Sequence, residues 1–465
     1  MMNPMLGRKS LLWLAAAISV LTLTTVATAN GATRERPCNG SVDLCSKTLD
    51  QVVLPGTHNS MSNEEYKWAI PNQHYSIPTQ LNMGIRAFLI DTHYGKAGSG
   101  SVADWKAGTD GDPHEMGATV YLCHEYCPLG ASDFTAELGK IKDYLAAHPR
   151  EVISFMIENY VDPDDIAKSF DDSGLIDYVY TGSTDSYPTL SQMIDANQRV
   201  VVFSEGNTGS VSWFHNGYAG AVQETPYDFR KNEAGQTMTT QQGMDLLTNP
   251  STLSSTCRPN RGGTTGSLFL MNHWVNGKLD NSNGITPDPA VAQVLNQPDV
   301  LVARARACEQ RRGKLPNIVA VDDFGDGDLI SAVRELNGVT AKPFFEVTKP
   351  KNAVVKSKKK ATYKLQIQNW GDAESALTKV CATVPRKLAI KPKCKTVSVT
   401  QGDPGAGSVT LKIATRRIVK GKFKGSKSGL VKFTVAGAGD SVTTSARLKV
   451  NPLKKKKPKR KKHRR

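Results

Sequence analysis

After residue 29 the sequence has no apolar run long enough to cross a bilayer. It has no glycine-rich loop after an early strand, and no internal repeat. These absences argue against a multi-span membrane protein, a dinucleotide-binding fold and a repeat array. Acidic residues nearly vanish toward the C-terminus: residues 346–453 hold 5 Asp and Glu against 23 Lys and Arg. Aromatic residues are also scarce there, which disfavours stacking on nucleic-acid bases. The Cys and His of "CHEYC" (123–127) have no second Cys/His cluster to complete a four-ligand zinc site.

The chain of 465 residues is longer than one ordinary core holds, so more than one part is expected. Arg8 and Lys9 precede "LLWLAAAISVLTLTTVATA", and the small residues of "ATA" (27–29) suit a signal peptidase. Residues 1–29 are therefore expected to be a secretory signal peptide; the competing reading is an uncleaved anchor. Export makes the eight cysteines candidates for disulfides. Cys38 lies near Cys45, Cys123 near Cys127 and Cys381 near Cys394, which leaves Cys257 for Cys308.

Between about 51 and 340 the chain alternates strand-like runs with helical patterns. The runs are "QVVL", "RAFLID", "TVYLCH", "EVISFMIE", "RVVVFSE", "SLFLMNHW" and "NIVAVDD"; the helical patterns include "SDFTAELGKIKDYLAAHP" and "DPAVAQVLNQPDVLVARARACEQRRG". The expected fold class is α/β, an irregular TIM-type (β/α) barrel over 30–344, with an open doubly wound sheet as the alternative. Over 345–453 short alternating runs separated by "NWGDAES", "QGDPGAGS" and "AGAGDS" point to a small all-β sandwich of Ig-like type. The tail 454–465 carries ten Lys and Arg and should repel itself into disorder. Charge divides accordingly, with −12 over residues 1–345 and +18 over 346–453.

Almost every strand-like run ends in a group fit for acid–base or metal chemistry. The groups are His58 and Asn59, Asp91 with His93, His124, Glu158, Glu205, Asn272 with His273, and Asp322 with Asp323. A lone histidine at a strand end is ordinarily structural, and a lone aspartate ordinarily caps the next helix. In a parallel barrel, however, carboxyl ends of strands share one face. Two histidines can supply a general base and a general acid. Asn59, Asp91 and Glu158 offer oxygens that suit a hard cation such as Ca²⁺. Glu205, His93 and His273 are expected to line a substrate site, and Asn272 and Asp323 to be structural or lining.

In order and spacing, "LPGTHNS", "LNMGIRAFLID", "VYLCHEYC" and "REVISFMIEN" resemble the X-domain family of phosphatidylinositol-specific phospholipase C, with "PNIVAVDDFGDGDL" similar to that fold's closing strand. "VQETPYDF", "CRPNRGG" and "LFLMNHW" resemble its exported branch. The resemblance covers about residues 45–340 and implies the barrel, a phospholipid or other phosphodiester substrate, and a cyclic phosphodiester product. It implies His58 as general base, His124 as general acid, Asp322 as the carboxylate that orients the base, and Asn59, Asp91 and Glu158 as calcium ligands. One acidic ligand of the metal-assisted pattern is replaced by Leu89. The metal-free pattern carries an arginine where this chain has Asp91.

The expected function is thus a secreted phosphoric diester hydrolase, probed against two rivals. One is a barrel without turnover that serves as an anionic-surface-binding protein. The other is a phosphodiesterase for glycerophosphodiesters or sphingolipids. The basic C-terminal region should meet an anionic membrane or cell-wall surface.

Overall fold

The computed structural model describes residues 34–106, 109–232, 234–278, 285–373, 375–400 and 405–455. The expected signal peptide lies outside these residues, as does the expected tail beyond Lys455. Among the described residues no helix is long and apolar enough to cross a membrane.

Eight parallel strands form one curled sheet: β1 Leu54–Thr57, β2 Ala87–Ala97, β3 Ile153–Asn159, β4 Val200–Ser204, β5 Phe214–Asn216, β6 Val222–Glu224, β7 Leu268–Asn272 and β8 Ile318–Val321. Their order is β5-β4-β3-β2-β1-β8-β7-β6. The runs are almost wholly apolar because both faces are covered. Alternate residues enter different cores: Phe88 and Ile90 join one cluster with Phe155, Ile157 and Val202, whereas Ala87 and Leu89 join another with Met156, Phe203, Leu270 and Ala320. Gly56 permits the tight meeting of β1 with its neighbours, since a Cβ there would lie 3.0 Å from Ile318 Cγ2 and 3.3 Å from Ala87 Cβ.

The closed barrel expected from the alternation is not what the ladders form. Among the described residues β5 and β6 do not pair, so the sheet is a curled parallel sheet with two free edges. The connection between them is the five-residue turn Gly217–Ala221. Parallel neighbours need a crossover of a dozen or more residues, which this turn cannot supply. The run "TVYLCH" is also placed differently: Thr119–Leu122 is antiparallel to β2, beside Thr92–Gly95, and is not one of the parallel strands. The short strands β5 and β6 take the remaining places.

The helices follow their capping chemistry. Asp133 accepts a hydrogen bond from the Ala136 amide and starts Phe134–Ala147, whose Leu138, Ile141 and Leu145 face the core. The long pattern after Asp288 becomes two helices, Pro289–Leu295 and Pro298–Arg312, because Pro298 begins a new first turn. Gly313 closes the second with φ 68°. Disulfides join Cys38–Cys45, Cys123–Cys127, Cys257–Cys308 and Cys381–Cys394.

The C-terminal strands form two further sheets. One contains Phe345–Val347, Lys360–Asn369 and Gly405–Ala414; the other contains Ala353–Lys356, Ser375–Thr383, Lys395–Thr400, Ser428–Gly437 and Asp440–Asn451. Inward residues from both, including Tyr363, Leu365, Val431 and Phe433, share one core. The described residues from Arg36 onward form one compact unit. Arg334 Nε lies 2.9 Å from Asp372 Oδ2, and Arg36 Nε lies 2.8 Å from Glu346 Oε1, tying these sheets to the α/β part.

Candidate active site

The period-two alternation of the strands decides which polar groups meet. Leu89 and Asp91 share a face of β2, Met156 and Glu158 a face of β3, and Ala320 leads to Asp322 at the end of β8. At the carboxyl ends of these strands is a cavity of about 240 Å³, lined by His58, Asn59, Asp91, His124, Glu158 and Glu205 among others. Leu89 contributes an apolar wall.

His58 follows β1 directly, and its amide donates to the Val321 carbonyl at 2.9 Å. Its Nδ1 is 2.9 Å from Asp322 Oδ1. Asn72 Nδ2 donates to the same oxygen at 3.2 Å. Asp322 is buried, at 5% exposure, so this oxygen does little bonding to water. Nδ1–H donation to the carboxylate leaves Nε2 as the proton-accepting nitrogen. The ring is clamped on its face by Trp274, with centroids 3.8 Å apart and planes 6° apart.

His124 lies just beyond Thr119–Leu122, inside the loop closed by Cys123–Cys127. Asn59 Nδ2 is 3.3 Å from His124 Nε2, which links the residue after the first histidine to the second ring. Asn59 itself has φ 43°, a left-handed conformation that asparagine tolerates. Burial, and then the neighbouring His58, hold the His124 imidazole below its usual range.

Asp91 and Glu158 face each other in register across β2 and β3. The Asp91 carboxylate accepts no hydrogen bond from the described residues and is 7% exposed. Burial first, then repulsion from Glu158, Glu205 and Glu125, pushes its carboxyl well above the usual range. A buried, partnerless carboxylate among other carboxylates fits a bound hard cation, and the donors are all oxygen.

Two expected lining residues lie elsewhere. His273 is fully buried, with Nε2 3.0 Å from the Leu295 carbonyl and Nδ1 3.1 Å from Arg304 Nη1. The alternation of β7 aims Asn272 into the cavity and so turns His273 outward, toward the helices. His93 stacks on Tyr160, centroids 4.4 Å apart, and it is Tyr160 that lines the cavity. Asp323 follows the end of β8 with φ 42° and lies outside the cavity lining, its Oδ1 3.9 Å from His74 Nε2; burial and the adjacent Asp322 push its carboxyl up to about 7.

The strand-end reading missed several cavity residues, among them Glu224, Arg261 and Trp274. Arg261 Nη1 is 2.5 Å from Glu205 Oε2 and its Nη2 is 2.7 Å from Glu224 Oε1, so one guanidinium bridges two carboxylates. Its Cζ lies 4.3 Å from the Tyr218 ring centroid. The signal was present: Glu224 sits in "VQETPYDF", Arg261 in "CRPNRGG" and Trp274 in "LFLMNHW".

Comparison with known proteins places these residues in a family context. Residues 110–337 match the family model PI-PLC X 1, described as PI-PLC_X. The matched segment contains His124, Glu158, Arg261 and Asp322, while His58, Asn59 and Asp91 precede it. A fungal protein of Arthroderma benhamiae named "PI-PLC X domain-containing protein 1" is 26% identical over 350 residues, covering 70% of this chain and 97% of that one. A second protein of the same fungus, named "Uncharacterized secreted protein", is 26% identical over 351 residues, 69% of each chain. Among solved structures, the CARDB domain of PF1109 from Pyrococcus furiosus is 20% identical over 24% of this chain and 97% of that one, with a TM-score of 0.18.

Proposed function

The chain carries a PI-PLC X domain, and from that premise we propose that it is an exported phosphodiesterase that cleaves a phospholipid head group through a cyclic phosphodiester. The observation that carries the reading is the pair of imidazoles on one cavity, one of them held by a buried carboxylate. His58 Nε2 takes the proton from a substrate hydroxyl adjacent to the phosphate. The oxygen so exposed bonds to phosphorus and closes a ring. The bond from phosphorus to the lipid oxygen breaks, and His124 gives that oxygen its proton. Asp322 stabilises the imidazolium that forms on His58.

Asn59, Asp91 and Glu158 are the residues that would hold Ca²⁺. When bound, the ion would polarise the phosphoryl oxygens and lower the pKa of the attacking hydroxyl. Arg261, neutralised by Glu205 and Glu224, positions polar groups around the head group. The substrate is chosen by this wall and by Tyr227 and Trp274. Export agrees with the secreted relative and with the four disulfides.

The test offers phosphatidylinositol, phosphatidylcholine and a glycerophosphodiester to the full chain, with calcium and with chelator, and identifies the phosphorus products. A cyclic inositol phosphate formed only with calcium is the expected result. A folded protein that yields no product from any of the three sinks the enzymatic reading. Turnover untouched by chelator sinks the calcium assignment alone.

A further inference from the structure

The cavity lies at one end of the parallel strands, and the C-terminal sheets meet the α/β part at the other. Asn369, Trp370, Gly371 and Asp372 share a groove with Val53, which precedes β1, and with Arg334 and Asn337. That groove is at the amino end of the strands, whereas the cavity is at their carboxyl end. From this contact the strand Lys360–Asn369 extends over about 30 Å.

At its far end several loops meet. The Thr415 amide donates to the Lys359 carbonyl at 3.1 Å, Arg416 Nε to the Arg386 carbonyl at 2.7 Å, and the Lys420 amide to the Leu453 carbonyl at 3.0 Å. These bonds gather segments 356–360, 384–394, 415–427 and 452–455. Together the segments hold 13 Lys, 3 Arg and no Asp or Glu. All of these basic side chains are exposed, and among the described residues none has an ion-pair partner. So many like charges with no counter-charge repel one another, and only an external anion relieves that repulsion.

We infer that this cationic end is a docking surface for a flexible linear polyanion of the polyphosphate kind, with phosphate groups along its backbone and no bases, and that it anchors the protein with the cavity facing away. Lysine, a compact point charge that binds phosphate without a planar fork, predominates over arginine, and the scarcity of aromatic residues here disfavours stacking on nucleic-acid bases. The cavity end offers no comparable run of unpaired cations, since its guanidinium, Arg261, is bridged by Glu205 and Glu224. An extended anion is therefore drawn to the basic end. A bilayer-inserting tip would carry several apolar anchors, and Ile390 is the exposed large apolar residue in these segments. The anion that holds the protein is thus distinct from the lipid it is proposed to cleave.

The experiment measures binding of the full chain to immobilised long-chain inorganic polyphosphate. The variant carries Lys358→Glu, Lys359→Glu, Lys360→Glu, Arg416→Glu and Arg417→Glu, with melting temperature as the folding control. A second variant neutralises Lys420, Lys422 and Lys424 to Gln. The expected result is tight, salt-sensitive binding that falls about 100-fold in the reversal variant and less in the neutral one at physiological salt. Turnover of a soluble phosphodiester should be unchanged. Binding of the reversal variant within about threefold of wild type overturns the inference, because screened loop charges would then contribute nothing. Tighter binding to a DNA duplex, or binding to phosphatidylglycerol vesicles that raises turnover through the same residues, also overturns it. The binding arm stands whether or not the catalytic reading does.

Discussion

Replacing Asp322 by Asn should separate charge from orientation in the histidine–carboxylate pair. His58 Nδ1 and Asn72 Nδ2 converge on the same oxygen, Asp322 Oδ1, at 2.9 and 3.2 Å. An asparagine can keep an acceptor at that point, so both donors hold it there and the imidazole keeps its tautomer. What is lost is the negative charge that favours the imidazolium. A charge-assisted hydrogen bond is worth about 1.5–3 kcal/mol where a neutral one is worth about 1, so the rate should fall about 2- to 30-fold. Asp322→Ala removes the acceptor as well and frees the ring, so it should lose about 10³-fold or more. Initial rates on a soluble phosphodiester, with melting curves to exclude unfolding, decide the matter. A D322N rate indistinguishable from wild type would refute the pairing as a source of catalysis. Equal losses in D322N and D322A would refute the shared-acceptor geometry.

His124 must be protonated to act as an acid, and burial with His58 holds its pKa below 6.5. The rate should therefore decline on the alkaline side from a pH below that value, and NMR of H58A should show the His124 titration moved upward. Asp91 has a raised folded-state pKa, so the folded form binds more protons than the unfolded one just above 3.8. Stability due to this group accordingly falls as pH rises through that window. At neutral pH with chelator D91N should melt higher than wild type, and calcium should raise the melting temperature of wild type but not of D91N. A melting temperature indifferent to calcium in both would remove Asp91 from the ligand set. Joint Cys123→Ser and Cys127→Ser replacement opens a small loop worth about 2 kcal/mol. It should lower kcat more than stability, because the loop carries His124; unchanged kcat would show that the ring needs no such support.

The strand alternation was legible because buried parallel strands must be apolar on both faces, and the polar strand ends stood out against them. Which of two adjacent polar residues enters the cavity was less legible. Asn272 and His273 are separated by the phase of the alternation, which register with the neighbouring strand fixes, Asn272 lying opposite Ala320. The gap between β5 and β6 was not legible, since three-residue strands leave too little pattern. Arg261 escaped because it lies on a loop, Asn260 pairing with Gly262, and reaches the cavity by side-chain length. Glu224 and Trp274 were visible only as parts of motifs, with no chemistry of their own until the carboxylate–guanidinium bridge and the stacked ring were in place.

The most direct test of the two-histidine account varies the leaving group. A phosphodiester of inositol that departs as p-nitrophenolate needs no proton from an acid. H124A should turn it over at close to the wild-type rate while failing on the lipid substrate, and H58A should fail on both. An H124A variant equally impaired on the activated and the natural substrate, or an H58A variant active on either, would contradict the roles assigned to the two rings.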